Sequence, residues 1–173
     1  MHFCALVRRT QAAASGAFWG LRDLSAKVTG VMPRVREMVS GYLRRFPGWT
    51  PLRQAMATVL GVTVEDIIDL ETAGDPIIYL DARTQHGEFK LRVEAFIDAS
   101  RAPEYRGETA FWKGLARVLG QEVLYDDGGS SVPTRWVLVR PDGIRFKVFE
   151  DSTQEGPDPV LDPDEPPRRL PEG

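Results

Sequence analysis

Three places in the sequence hold residue types that could do chemistry. Asp126-Asp127-Gly128-Gly129 pairs two carboxylates with two glycines, the ingredients of a metal or phosphate loop. A calcium loop alternates its acids and adds a carboxylate downstream, whereas here Gly, Gly, Ser, Ser follow and the next acid is Asp142. A phosphate loop needs a Lys and a helix after its glycines, and Trp136-Val137-Leu138-Val139 reads instead as a strand. Turn chemistry accounts for each residue, so the stretch is expected to be a corner between strands. Asp81, Glu88 and Lys90 form the second place. An Asp on one strand and Glu-x-Lys on the next is a nuclease pattern, in which carboxylates hold Mg²⁺ and the lysine assists the attacking water. Glu88 and Lys90 also begin an alternation that Arg92 and Glu94 continue, as on the solvent face of a half-buried strand. The third place, residues 51–71, resembles a helix-turn-helix, with Ala57, Gly61, Val62, Ile67 and Leu70 at the small, turn and apolar positions. Its reading helix would bring Glu65, Asp66, Asp69 and Glu71 against a polyanion, which repels.

Other chemistry is scarce. Cys4 is the only cysteine, and His2 and His86 are the only histidines. No intrachain disulfide can form, and a Cys/His zinc site lacks ligands. No cofactor or metal is expected. Trp112 follows Phe111 on a predicted helix, so one of the two should face away from the core; an exposed Trp would mark a partner site.

The elements that must position these residues can be read from the pattern. Residues 1–37 form a basic, helix-prone extension without a clean amphipathic period, and the globular pattern starts near Met38. After "MVSGYLRRF" and the breaker "PGW", a helix starts at Thr50-Pro51 and ends at Gly61. A second helix is predicted over "TVEDIIDLETA", with Thr63 and Asp66 as a capping box. The period then changes to two. "PIIYLD" and "GEFKLRVEAFID" make a hairpin, with Phe89, Leu91, Val93, Ala95 and Ile97 on one face. "TAFWKGLARVLG" is a helix with Phe111, Leu115, Val118 and Leu119 on its apolar stripe and Gly120 as cap. Three strands follow, "QEVLYDD", "TRWVLVRP" and "IRFKVFED", the last two joined by Pro141-Asp142-Gly143. Residues 152–173, rich in Pro and acid, are expected to be disordered. The fold class is α+β: a largely antiparallel sheet of about five strands, one helix packed on a face, and an N-terminal helical segment in front. The domain is expected over 38–151.

Charge is divided unevenly. Residues 1–53 carry nine Lys/Arg and two Asp/Glu, and residues 54–173 carry thirteen and twenty-three. Such a division suggests different partners for the two parts, or attraction between them. No apolar run is long enough to span a bilayer and no secretory signal is read, so a cytoplasmic protein is expected.

The run "LARVLGQEVLYDDGGSSVPTRWVLVRPDG" resembles the second half of small bacterial immunity proteins of polymorphic toxin systems, over about residues 75–151. The resemblance implies an α+β protein without catalysis that plugs the active site of a cognate toxin, often with acidic residues against a basic cleft. A secretion chaperone would fall in the same class. The reading is therefore a protein-binding module with Asp126, Asp127 and Trp112 as partner-binding candidates. The alternatives are a DNA-binding regulator using 51–71 and a Mg²⁺ nuclease using Asp81, Glu88 and Lys90.

Overall fold

Val39, Gly41 and Leu43 lie on one face of the central strand, β1 (Glu37–Leu43), and Met38, Ser40 and Tyr42 on the other. In the computed structural model the described residues are 35–126, 128, 135–151, 153 and 158–171. The expected N-terminal helical segment lies outside them, while Arg36 and Glu37, read as part of that extension, belong to the fold. Arg36 donates to the Ile77 and Pro76 carbonyls at 2.9 and 2.8 Å.

After β1 come α1 (Trp49–Leu60), a 3₁₀ turn (Val64–Asp66), β2 (Ile67–Asp69), β3 (Ile78–Thr84) and β4 (Leu91–Ile97). They are followed by α2 (Glu108–Leu119), β5 (Val123–Asp126), β6 (Arg135–Val139), β7 (Arg145–Phe149) and β8 (Arg168–Arg169). The strands form one sheet in the order β2-β3-β4-β1-β5-β6-β7-β8. Every pair is antiparallel except β2–β3. The α+β class and the dominance of antiparallel pairing hold. The count does not: there are eight strands and two helices among the described residues.

Three differences from the sequence reading have clear causes. β1 carries buried residues on both faces at Gly41, Tyr42 and Leu43, so its period is blurred. The second helix is absent. Thr63 and Asp66 do pair, the Thr63 N–H donating to the Asp66 carboxylate at 3.0 Å, but only one turn forms. The β-branched Ile67 and Ile68 then extend and pair with Ile78 and Tyr79, and Ile67 is buried. The first helix starts after Gly48 instead of Thr50.

The third difference is the tail, which packs in its described part. Asp151 N–H donates to the Val160 carbonyl at 2.8 Å, and Asp162 N–H to Phe149 at 2.9 Å. The Asp158 carboxylate accepts from the His86 and Gly87 amides at 3.2 and 3.0 Å. Leu161 joins a small core on the sheet face away from the helices, made of Tyr42, Phe89, Leu124, Leu138 and Val148. Phe89 was expected beside Leu91; it precedes β4 and turns to this second face. A few apolar residues, together with paired backbone, anchor a segment whose composition suggested disorder.

The main core lies between the other face and the helices. Leu91, Val93, Ala95 and Ile97 are fully buried, as their alternation predicts. From α2, Phe111, Trp112, Leu115 and Ala116 are buried, while Val118 is 47% exposed. The apolar stripe is thus rotated towards Trp112. Room for the indole comes from Gly41, where a Cβ would stand 2.8 Å from a Trp112 ring carbon and 2.8 Å from the Leu124 carbonyl oxygen.

Two outcomes follow. Gly41→Ala should lose about 1–3 kcal/mol through overpacking, whereas Gly128→Ala, with open space around it, should be near neutral in urea titration. Truncation after Asp151 should lower the urea midpoint by the equivalent of more than about 2 kcal/mol, because it uncovers the second core. An unchanged midpoint would show that the tail contributes nothing to stability.

Candidate functional site

The residues chosen from sequence are not brought together. Asp81 stands opposite Glu94 on β4. Glu88 lies outside β4, in the bend that joins β3 to β4. Glu88 is ion-paired with Arg44, and the Lys90 ammonium donates to the His86 carbonyl at 3.1 Å. Asp81 instead joins a charged quartet on the open sheet face. Asp81 faces Glu94 and Arg83 faces Arg92, like against like across the strands. The opposite charges meet along each strand, Arg83 with Asp81 at 2.7 Å and Arg92 with Glu94. Among the described residues no three of His, Cys, Asp and Glu gather where they could hold a metal ion.

The helix-turn-helix reading loses its reading helix, because residues 63–69 are a 3₁₀ turn and a strand. Trp112 is fully buried and cannot touch a partner. Its indole N–H donates to Glu108 at 3.2 Å, and its ring packs edge-on to Phe111 and stacked on Tyr125. Both members of the Phe111-Trp112 pair find the core because one points between the helices and sheet and the other into the Gly41 slot. Asp126 is exposed at the end of β5, and Asp127 lies outside the described residues. Asp126 follows Tyr125, the partner of Gly41, which puts it at the level of Ser40, Glu94 and Asp81 across the sheet.

Glu108 has its acidity altered by this setting. Burial raises its pKa, the Trp112 N–H and a Ser40 backbone hydrogen bond oppose the rise, and the Asp126 charge adds to it.

A larger concave surface lies at the β2–β3 edge and shares Asp81 and Arg83 with the quartet. A groove of about 580 Å³ is lined by Trp49 and Arg53 from the start of α1, Asp69, Leu70 and Glu71 from the end of β2, and Ala82 and its neighbours on β3. Trp49 and Leu70 are 48% and 41% exposed, and Phe46, itself 40% exposed, meets the Trp49 ring edge-on at 4.9 Å. Three large apolar side chains are thus left in water at one end of the sheet. The lining carries three acids, Asp69, Glu71 and Asp81, against two bases, Arg53 and Arg83, and the sequence between those bases, residues 54–82, contains Glu65, Asp66, Asp69, Glu71, Asp75 and Asp81 and no Lys, Arg or His. Arg53 and Arg83 flank this stretch and are held by Asp69 at 2.6 Å and Asp81 at 2.7 Å. That base-free run was legible in the sequence, but reading it as a helix hid its place on an edge.

No protein-family model, curated protein or solved structure matches this chain. No helix among the described residues is long and apolar enough to cross a membrane.

Glu108 generates a prediction. With its pKa raised on folding, the folded state binds more protons than the unfolded state just above the usual carboxylate range. Stability through this group therefore falls as pH rises across that window, and the cost is fully present above the raised value. Glu108→Gln keeps an acceptor for the Trp112 N–H and removes the titration. The variant should show a flatter thermal midpoint between pH 4 and pH 7 than the parent, relative to their common value at low pH. A parallel pair of curves would show that Glu108 titrates normally.

Proposed function

We propose that the chain is a cytoplasmic protein-binding module without catalysis, and that its contact surface includes the acidic β2–β3 edge. The observation that carries this reading is the groove, where Trp49, with Phe46 against its ring, and Leu70 expose apolar surface beside Asp69, Glu71 and Asp81, of which Glu71 has no arginine partner among the described ion pairs. Aromatic anchors in a recess with charge around them are the usual make-up of a protein contact. The partner is expected to be basic, since complementary charge speeds encounter. The narrower reading, an immunity protein that inhibits a cognate toxin, is supported by the resemblance over 75–151 and by this acidic edge. Asp126 would belong to the same acidic surface, at the level of Asp81 and Glu94.

The test is affinity capture with the full chain from its native host, followed by association kinetics with the captured protein. Glu65 and Glu71 are exposed, so Glu65→Gln/Glu71→Gln should leave the fold intact. Association with a basic partner should slow several-fold at low salt, and the difference should vanish at high salt as screening removes the steering. Equal rates at low salt would exclude this edge from the contact. Toxin inhibition is tested separately, by restoring growth of cells that express a toxin captured in this way.

A further inference from the structure

We infer that the open edge of β3 is a strand-addition site that takes an extended, basic and apolar segment of a partner protein. The inference rests on the protein-binding reading and specifies how the partner is held. β2 pairs with β3 only from Ile67↔Ile78 to Asp69↔Leu80, so β3 continues beyond it for four residues, Asp81–Thr84. The direction of its backbone groups follows from the bonds at either end. Leu80 turns its carbonyl outward to accept from Leu70 N–H at 3.0 Å, and Gln85 turns its N–H inward to the Lys90 carbonyl at 2.8 Å. Alternate residues face alternate sides, so Ala82 and Thr84 present their N–H and C=O groups to the open edge. Among the described residues nothing hydrogen-bonds to them.

The opposite edge of the sheet is treated differently. Along β7, Phe146 and Lys147 are paired with β8, and Phe149 accepts from Asp162 N–H. One edge is closed by the chain itself and the other leaves a row of donors and acceptors at the groove. Such a row is a template for another strand. The occupant's chemistry follows from the walls. Trp49 and Leu70 offer a recess for an apolar side chain, and the lining's excess of acid, Asp69, Glu71 and Asp81 against Arg53 and Arg83, favours Lys or Arg in the alternate positions. A strand that alternates basic and apolar residues satisfies both.

The experiment uses the full chain and an acetylated octapeptide of alternating Lys and Val, with a Glu/Val octapeptide as control. Amide exchange is read by NMR at Ala82 and Thr84. Strand addition requires that the Lys/Val peptide slow exchange at both amides. It also requires that methylation of alternate peptide nitrogens weaken binding at least tenfold, a readout that leaves the protein untouched. Thr84→Pro removes an outward donor and should weaken binding by a similar factor. Lys/Val binding that protects neither amide and survives both changes would overturn strand addition while leaving the protein-binding reading standing. No Lys/Val binding at low salt, with a host partner captured whose contact maps away from 81–84, would overturn it in the same way. Failure of the capture as well would remove the parent reading. Self-association in sedimentation, lost on Thr84→Pro and without peptide binding, would assign the edge to a second copy and overturn the inference.

Discussion

The seating of the Trp112 indole against Gly41 determines how the two layers meet. β1 is the middle of the sheet, paired on both sides, and at Gly41 it has no side chain on the helix face. The indole fills that space, stacks on Tyr125 of the neighbouring strand and is held by Glu108 one turn earlier in its own helix. A buried aromatic of this size contributes more area than any aliphatic neighbour, and its N–H must find a partner. The second helix layer contact repeats the device. At Gly114 a Cβ would stand 2.8 Å from a Val59 methyl, so α1 packs against α2 where a side chain is missing. Two glycines thus fix where α2 lies on the sheet and where α1 lies on α2.

From that seat the asymmetry of the sheet follows. The helices cover Leu80, Val93, Ala95 and Val137 on one face. On the other face, the half nearest β6 and β7 is closed by Leu161 and its segment, with Trp136 donating to Glu150 at 3.1 Å. The half nearest β3 and β4 carries the charged quartet, on which no other described segment packs a core. Arginines cover part of the remaining aromatic surface, Arg36 over Tyr79 and Arg140 over Phe146. Apolar stems can shield a ring while the guanidinium stays hydrated.

Local pattern revealed what local forces decide. The β3–β4 hairpin, α2 ending at Gly120, the last three long strands and the Pro141 turn are all legible, because one buried face imposes a period and turns need special backbone. Gly143 adopts φ 82° there, and its N–H donates to the Arg140 carbonyl at 2.8 Å. What was not legible depended on partners far along the chain. β1 is sandwiched between strands from distant segments, so polarity does not alternate along it. Ile67 and Ile68 look helical until β3 offers them an edge. The tail gains its order from the His86–Gly87 turn, more than seventy residues away. The candidate site suffered most: Trp112 went to the core and the nuclease triplet was separated, whereas the groove is formed by three segments that only the sheet brings together.

The length of β2 explains why the edge stays open. Parallel neighbours are usually joined by a crossover of about a dozen residues or more, often a helix, because the chain must return to the starting end. Here residues 70–77 make the whole connection. Eight residues span at most about 28 Å, and part of that reach is consumed by turns. One turn is closed by Thr72 N–H on the Asp69 carbonyl at 2.8 Å. The return leg is fixed where Asp75 meets Arg36 at 3.3 Å and Arg101 at 3.4 Å. Each residue added to β2 would lengthen the return by one strand rise, about 3.3 Å, against a clamped loop. The connection therefore limits β2 to a short strand, and among the described residues Ala82 and Thr84 stay unpaired as a consequence of topology. An edge left open by fraying would close when the chain is stabilised; one left open by a short, clamped connection remains available to an outside strand.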